Sequence, residues 1–155
     1  MESLKEERKI IVFQLDKEEY GIPVEQVQSI EKMQQITRVP HTKKFIKGVL
    51  NMRGVITPIA DLRIRFGLEE LPVSEQTRMI IVSLDNIEVG FIVDAANDVV
   101  DISADDIEQP PEAAGSVPAD YIIGVVKLNK RLITLLDLKT ILTEELLPSK
   151  EAVQG

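Results

Sequence analysis

The chain has 155 residues, 18 Lys and Arg against 26 Asp and Glu, a formal charge of −8 and 44% hydrophobic residues. That length and apolar content describe one compact domain, or two small subdomains sharing a core, and exclude a disordered chain. The acidic balance excludes a general nucleic-acid binder and a basic membrane-docking patch, and the lack of cysteine excludes disulfides, thiolate catalysis and thiolate metal sites.

The charged start, Met1-Glu2-Ser3-Leu4-Lys5-Glu6-Glu7-Arg8, lacks signal-peptide form, so a soluble cytoplasmic protein is expected. Runs 10–15 and 20–24 are β-rich and flank Asp16-Lys17-Glu18-Glu19, which predicts a hairpin. Val24, Val27 and Ile30 then recur every third residue, the spacing of one or two helical turns. A short strand is predicted over 35–39. Over 48–59, Arg53-Gly54 interrupts an apolar stretch and reads as a tight turn between two strands. Asp61 sits where a helix N-cap belongs, before Leu62-Arg63-Ile64-Arg65-Phe66. A linker over 67–77 follows.

The second half runs in the same order. Runs 79–84 and 87–93 flank a turn at Asp85-Asn86, and Val93, Ala96 and Val99 again predict helical turns. A strand over 99–102 leads to a loop at 108–118 rich in Pro, Ala and Glu. The stretch 125–136 is interrupted by Asn129-Lys130-Arg131, and Asp137 caps an amphipathic helix predicted over 138–147 by Leu138, Ile141, Leu142 and Leu146. The ends, 1–8 and 148–155, are expected to fray.

These halves are a repeat. A shift of sixty-nine positions lays residues 9–30 on 78–99 without a gap, matching Ile11, Leu15, Asp16, Glu19, Gly21 and Val24 to identical types. A shift of seventy-six lays Phe45-Ile46-Lys47-Gly48-Val49 on Tyr121-Ile122-Ile123-Gly124-Val125, and Asp61-Leu62 on Asp137-Leu138. Many short strands with few helices predict two small barrels packed on a common apolar interface, because half of this chain buries too little surface alone.

Catalytic motifs are scarce. His41 is the single histidine, in a polar loop with no partner nearby. Asp94, Asp98, Asp101, Asp105 and Asp106 form an acidic stretch without the ligand alternation or turn glycine of a calcium loop. One enzymatic reading stays open, a β-barrel hydrolase with Asp94 and Asp98 as acid and base. Elsewhere, turn chemistry alone would explain Arg53, paired with a local acid such as Asp61.

The segment Asn51-Met52-Arg53-Gly54-Val55-Ile56-Thr57-Pro58-Ile59-Ala60-Asp61-Leu62-Arg63 resembles the NLRG–x–x–x–P–x–x–DLR signature of CheW, the bacterial chemotaxis coupling family. The resemblance runs from about residue 9 to 142 and includes EEYGIPVEQVQSIE, TRVP, FIKGV and IEVGFIVDAANDVV. Met52 replaces the family's usual Leu, and Ala113 stands where some relatives carry a bulky aromatic.

The resemblance implies a mainly β chain of two five-stranded SH3-like barrels, with short helices and a C-terminal helix. They form one domain over 9–150, with subdomains near 9–70 and 78–147 between which strands are free to exchange. It implies no cofactor, no metal and no catalysis. The implied role is an adaptor between the cytoplasmic tips of methyl-accepting chemoreceptors and the regulatory domain of the histidine kinase CheA, recruited from the cytoplasm to membrane-bound receptor arrays without inserting into the membrane. Residue by residue, the receptor groove would involve Val27, Lys47, Gly48, Leu50, Arg53, Gly90, Ala96 and Val99; no kinase-binding residue is assigned. The CheW-like part of a CheV-type coupling protein is the alternative.

Overall fold

A computed structural model describes residues 7–109 and 119–143. The loop at 110–118, with Ala113, and the helix positions expected beyond 143, with Leu146, lie outside the described residues. The first half supplies β1 (Glu7–Leu15), β2 (Glu18–Pro23), β3 (Val27–Lys32), β4 (Ile46–Met52), β5 (Val55–Asp61) and α1 (Leu62–Arg65). The second supplies β6 (Arg78–Leu84), β7 (Ile87–Val93), β8 (Ala95–Ser103), β9 (Ile107–Glu108), β10 (Ile122–Leu128), β11 (Arg131–Leu136) and α2 (Leu138–Thr143).

Four hairpins turn in the same way. Asp16-Lys17, Arg53-Gly54, Asp85-Asn86 and Asn129-Lys130 all have positive φ at both central positions. This mirror-image turn matches the right-handed twist of the flanking strands. Asp, Asn and Gly tolerate that backbone, which is why the polar pairs between apolar runs mark the hairpins correctly.

The strands form a six-stranded sheet, β8-β1-β2-β11-β10-β9, and a five-stranded sheet, β3-β6-β7-β5-β4. The expected mainly β class with few helices holds, and the two expected five-stranded barrels correspond to these sheets of six and five strands. The sixth strand arises because β8 runs through a single 3-10 turn, Ala104–Asp106, into β9, which pairs with β10 at the opposite edge. Neither sheet is made from one half of the chain. Hairpin β1–β2 lies beside β8 and β11, and hairpin β6–β7 lies between β3 and β5. Each hairpin is joined to the other half by an antiparallel pairing on one side, β1 with β8 and β6 with β3, and by a parallel one on the other, Gly21 opposite Leu135 and Ile59 opposite Gly90.

Burial explains the continuous apolar runs. On β1, Ile11, Phe13 and Leu15 enter a core shared by the two sheets, while Ile10 and Val12 face the six-stranded sheet's own core. On β6, Ile80, Val82 and Leu84 enter the shared core, while Met79 and Ile81 face the five-stranded sheet's own core. Both strands are buried on both faces and therefore show no polar alternation. The six aromatic residues all lie in or against the shared core, Phe13, Tyr20, Phe66 and Tyr121 forming a chain with ring centroids 6.0, 6.1 and 6.0 Å apart.

Three expectations need correction. Only Val24–Gln26 is helical after the first hairpin, as one 3-10 turn; Val27 and Ile30 belong to β3. Ala96 and Val99 belong to β8 and no helix follows Val93. In each strand the register slips by one residue, between Val27 and Ser29 and between Ala96 and Asp98. An extra residue at a bulge resets the two-residue alternation, so an apolar spacing of three fits a strand. The predicted strand over 35–39 reduces to a single bridge, Thr37 with Val49.

Asp61 accepts from Arg63 N–H at 2.9 Å and Ile64 N–H at 3.4 Å, the N-cap the sequence predicts. Asp137 repeats the cap on α2, accepting from Thr140 N–H at 3.3 Å. Asp61→Ala is expected to destabilise the fold by about 1 kcal/mol, read as a lower urea midpoint with unchanged slope. An unaltered midpoint would show that the cap contributes nothing.

The exchanged hairpins predict how a cut chain behaves. Cleaved within 67–77, each fragment loses the hairpin that completes its sheet and bares a shared-core face. Each fragment alone should lack a cooperative melting transition, whereas the two mixed should recover one. NMR dispersion of native width from either isolated fragment would contradict this.

Candidate docking site

The segment that carries the family signature folds into hairpin β4–β5 and the α1 cap. Asn51 Oδ1 accepts from Gly54 N–H at 2.8 Å and locks the Arg53-Gly54 turn. Arg53 adopts φ 55°, uncommon for a long side chain, and is exposed. It shares a recess with Gln28 and Ser29 of β3 and Glu88 of β7. The Glu88 carboxylate accepts from Thr57 Oγ1 at 3.2 Å. Asp61 is taken up by its cap and 5% exposed, so the turn-chemistry pairing of Arg53 with Asp61 is not made. Burial pushes the Asp61 carboxyl above its usual range, against the two backbone N–H bonds that pull it down.

Of the eight residues expected in a groove, six lie in the five-stranded sheet or its turn, and Ala96 and Val99 lie on the edge strand of the other sheet. Val99 is 53% exposed, Val27 and Ala96 are partly buried, and Lys47 pairs with Glu70 at the rim of a cleft. Leu50 is buried in the five-stranded sheet's own core. The two glycines admit close packing. A Cβ on Gly90 would meet Ile59 Cδ1 at 2.6 Å, and one on Gly48 would meet the Thr37 carbonyl oxygen at 2.1 Å. Leu50, Gly48 and Gly90 are therefore buried, and Lys47, Arg53 and Val99 reach solvent.

The acidic stretch is dispersed among separate partners. Asp94 accepts from Arg63 Nη1 at 2.7 Å, Asp98 from Arg131 at 3.1 and 3.2 Å, and Asp101 from Lys9 at 2.8 Å. Arg131 also grips Glu19, and this bond holds the Glu19 carboxyl below its usual range. The structure does not bring Asp94 and Asp98 together as an acid and base: each is bonded to a different guanidinium, and the cleft lined by Asp94 does not include Asp98 among the described residues. No group of three or more metal-ligating side chains occurs among them either. His41 is exposed, at φ 64°.

Sequence reasoning passed over Arg63, which is 7% exposed and binds Asp94, Asp16 and the Glu69 carbonyl. The signal was present: Lys139 holds the same register after the second capping aspartate, and it pairs with Asp85, the repeat equivalent of Asp16. No helix among the described residues is long and apolar enough to cross a membrane.

A CheW-like domain model matches residues 9–146. The chain is 44% identical over 142 residues to a chemotaxis protein CheW from Bacillus subtilis, covering 92% of this chain and 91% of that one. It superposes on the crystal structure of the scaffolding protein TtCheW from Thermoanaerobacter tengcongensis with a TM-score of 0.84 and 34% identity, covering 92% and 99%. Its likeness to chemotaxis protein CheV3 of Helicobacter pylori, 30% identical over 128 residues, spans only 41% of that protein, so the CheV alternative is not favoured. With a family model across both sheets and relatives matched nearly end to end, the chain belongs to the CheW-like family of chemotaxis proteins.

Proposed function

We propose that this protein is a non-catalytic chemotaxis adaptor that couples the cytoplasmic tips of chemoreceptors to the histidine kinase CheA, acting in the cytoplasm at membrane-bound receptor arrays. The observation that carries this reading is the likeness to CheW proteins over 92% of the chain, spanning both sheets rather than one shared motif. An adaptor must hold two partners at once, which calls for a rigid body with separate surfaces. The doubly buried strands supply the rigidity. The receptor surface in this reading joins Val27, Lys47 and Arg53 on one sheet to Ala96 and Val99 on the other, shaped by Gly48, Leu50 and Gly90. Aliphatics and small residues with cations at the rim suit the side of a partner helix. The test is a pull-down with a receptor signalling tip and, separately, with CheA. Failure to bind either would remove the reading.

Two variants separate contact from scaffold. Arg53→Glu reverses a solvent-exposed charge in a recess that already holds Glu88. Receptor affinity should fall about ten- to a hundredfold, the equivalent of about 1.5–3 kcal/mol, with CheA binding and melting temperature unchanged. Full receptor affinity in the folded variant would sink the assignment of Arg53.

Gly48→Ala should act differently. Gly48 has φ 147°, and its Cβ would collide with the Thr37 carbonyl, whose bridge to Val49 rests on bonds of 3.0 and 2.8 Å. A loss of about 3 kcal/mol is expected, lowering the melting temperature and both affinities together. Selective loss of one partner from a fold of unchanged stability would instead make Gly48 a contact residue.

A further inference from the structure

The bulge in β8 decides which face its side chains take. Ala96 lies opposite Phe13, Asp98 opposite Val12 and Val99 opposite Ile11, so Asn97 is the extra residue. Residues three apart point to opposite faces of a regular strand. Ile11 and Phe13 are two apart and both enter the shared core, and directly opposed residues share a face. The bulge therefore brings Ala96 and Val99 onto one side. β3 repeats the device: Gln28 is its extra residue, and Val27 and Ile30 lie opposite Val82 and Ile80.

The two bulges differ in what holds them. Arg131, the first residue of β11, donates to Glu19 of β2 through Nε and Nη2, both at 2.9 Å, and to Asp98 through Nη1 and Nη2 at 3.2 and 3.1 Å. Asn97 Nδ2 donates to the same Glu19 carboxylate at 3.0 Å. Asn97 and Asp98 are thereby tied to β2 and β11, although β1 stands between β8 and β2 in the sheet. A single exposed ion pair contributes little, but a guanidinium forked onto two carboxylates fixes an orientation. In the five-stranded sheet the equivalents of Asn97, Asp98, Glu19 and Arg131 are Gln28, Ser29, Glu88 and Val55. There Glu88 accepts from the Thr57 hydroxyl, and the four residues line a recess of about 130 Å³. One sheet has a clamp where the other has a recess.

We propose that Glu19 and Arg131 are positioning residues of the partner surface: their clamp on Asn97 and Asp98 holds the bulge that presents Ala96 and Val99 together. The inference rests on the reading of Ala96 and Val99 as receptor contacts, and it does not require the receptor to touch Glu19 or Arg131. An edge strand ordered before binding spares the complex the cost of ordering it, so the clamp acts on affinity through β8.

Arg131→Met cuts both forks and keeps an apolar stem. Amide hydrogen exchange over 96–100 of β8 should quicken about tenfold, while 27–31 of β3, outside the clamp, keeps its rates. Affinity for a receptor signalling tip should fall about tenfold, with CheA affinity and melting temperature unchanged. Arg131→Lys should behave like Arg131→Met, because one ammonium cannot make both forks. Asp98→Ala frees β8 while Glu19 keeps its arginine, so it gives the same readings where Arg131→Met fails to fold. The double variant should lose no more receptor affinity than either single one, since both cut the same clamp. Unchanged exchange over 96–100, full receptor affinity, additive losses, or a parallel fall in stability and both affinities would overturn the proposal. Wild-type protein that does not bind the tip would overturn the receptor reading itself, and the positioning role with it, whatever the exchange rates.

Discussion

The core shared by the two sheets is the constraint on which the rest depends. Each sheet offers it one face, and the strands most deeply committed, β1 and β6, are buried on both faces. Phe13 and Phe91 are at most 2% exposed, and burying one such side chain contributes roughly 1.5–3 kcal/mol. Arg65 sits on the same assembly, its guanidinium 5.1 Å from the Phe45 ring and 4.9 Å from that of Tyr121. Phe45 and Tyr121 are repeat equivalents, so one cation is shared by matching aromatics of the two halves. Separating the sheets would break this stack and expose the aliphatic faces together.

Close approach is the second constraint, and glycine meets it at matched places. Gly48 lets the chain leaving β3 reach the outer edge of β4, and Gly124 lets β9 reach β10, where a Cβ would lie 2.8 Å from the Glu108 carbonyl oxygen. In both sheets the chain itself thereby spans from one edge strand to the other, leaving less open edge for unwanted pairing. This bears on the docking surface. Gly48 serves backbone geometry first, so its place in a binding signature does not require that a partner touch it.

The hairpins, the capping aspartates and the duplicated order were legible in the sequence because each rests on local chemistry. Asp16, Asp85, Asn86 and Asn129 tolerate positive φ, and Asp61 and Asp137 accept from the backbone N–H groups of the turn that follows. The three-residue apolar spacing in β3 and β8 misled, since a bulge and a helix leave the same trace over so few residues. Which hairpin joins which sheet was not legible either. Pairings such as Ile59 with Gly90 depend on contacts between distant parts of the chain that no local pattern encodes. Of the candidate site, the turn bearing Arg53 could be read directly, whereas the burial of Leu50 could not, because Gly48-Val49-Leu50 reads in the sequence as one apolar run although burial alternates along it.

Duplication gives a symmetric frame, and the surface chemistry then departs from symmetry at corresponding positions. Arg63 is sunk between Asp94 and Asp16, while Lys139 at the equivalent place makes an exposed pair with Asp85. Arg53-Gly54 in one sheet corresponds to Asn129-Lys130 in the other, so one turn carries its cation a residue earlier than its twin. Arg131, just beyond that second turn, ties Glu19 to Asp98 across strands, whereas its equivalent, Val55, is 47% exposed and apolar. Some interior positions keep their types, Leu15 and Leu84 in the shared core and Gly21 and Gly90 against the two sheets' own cores, and others, such as Phe13 and Val82, keep only their apolar character. Turn residues answer to no such common demand and diverge. Packing holds the interior to apolar types, while the turns are free to change outside.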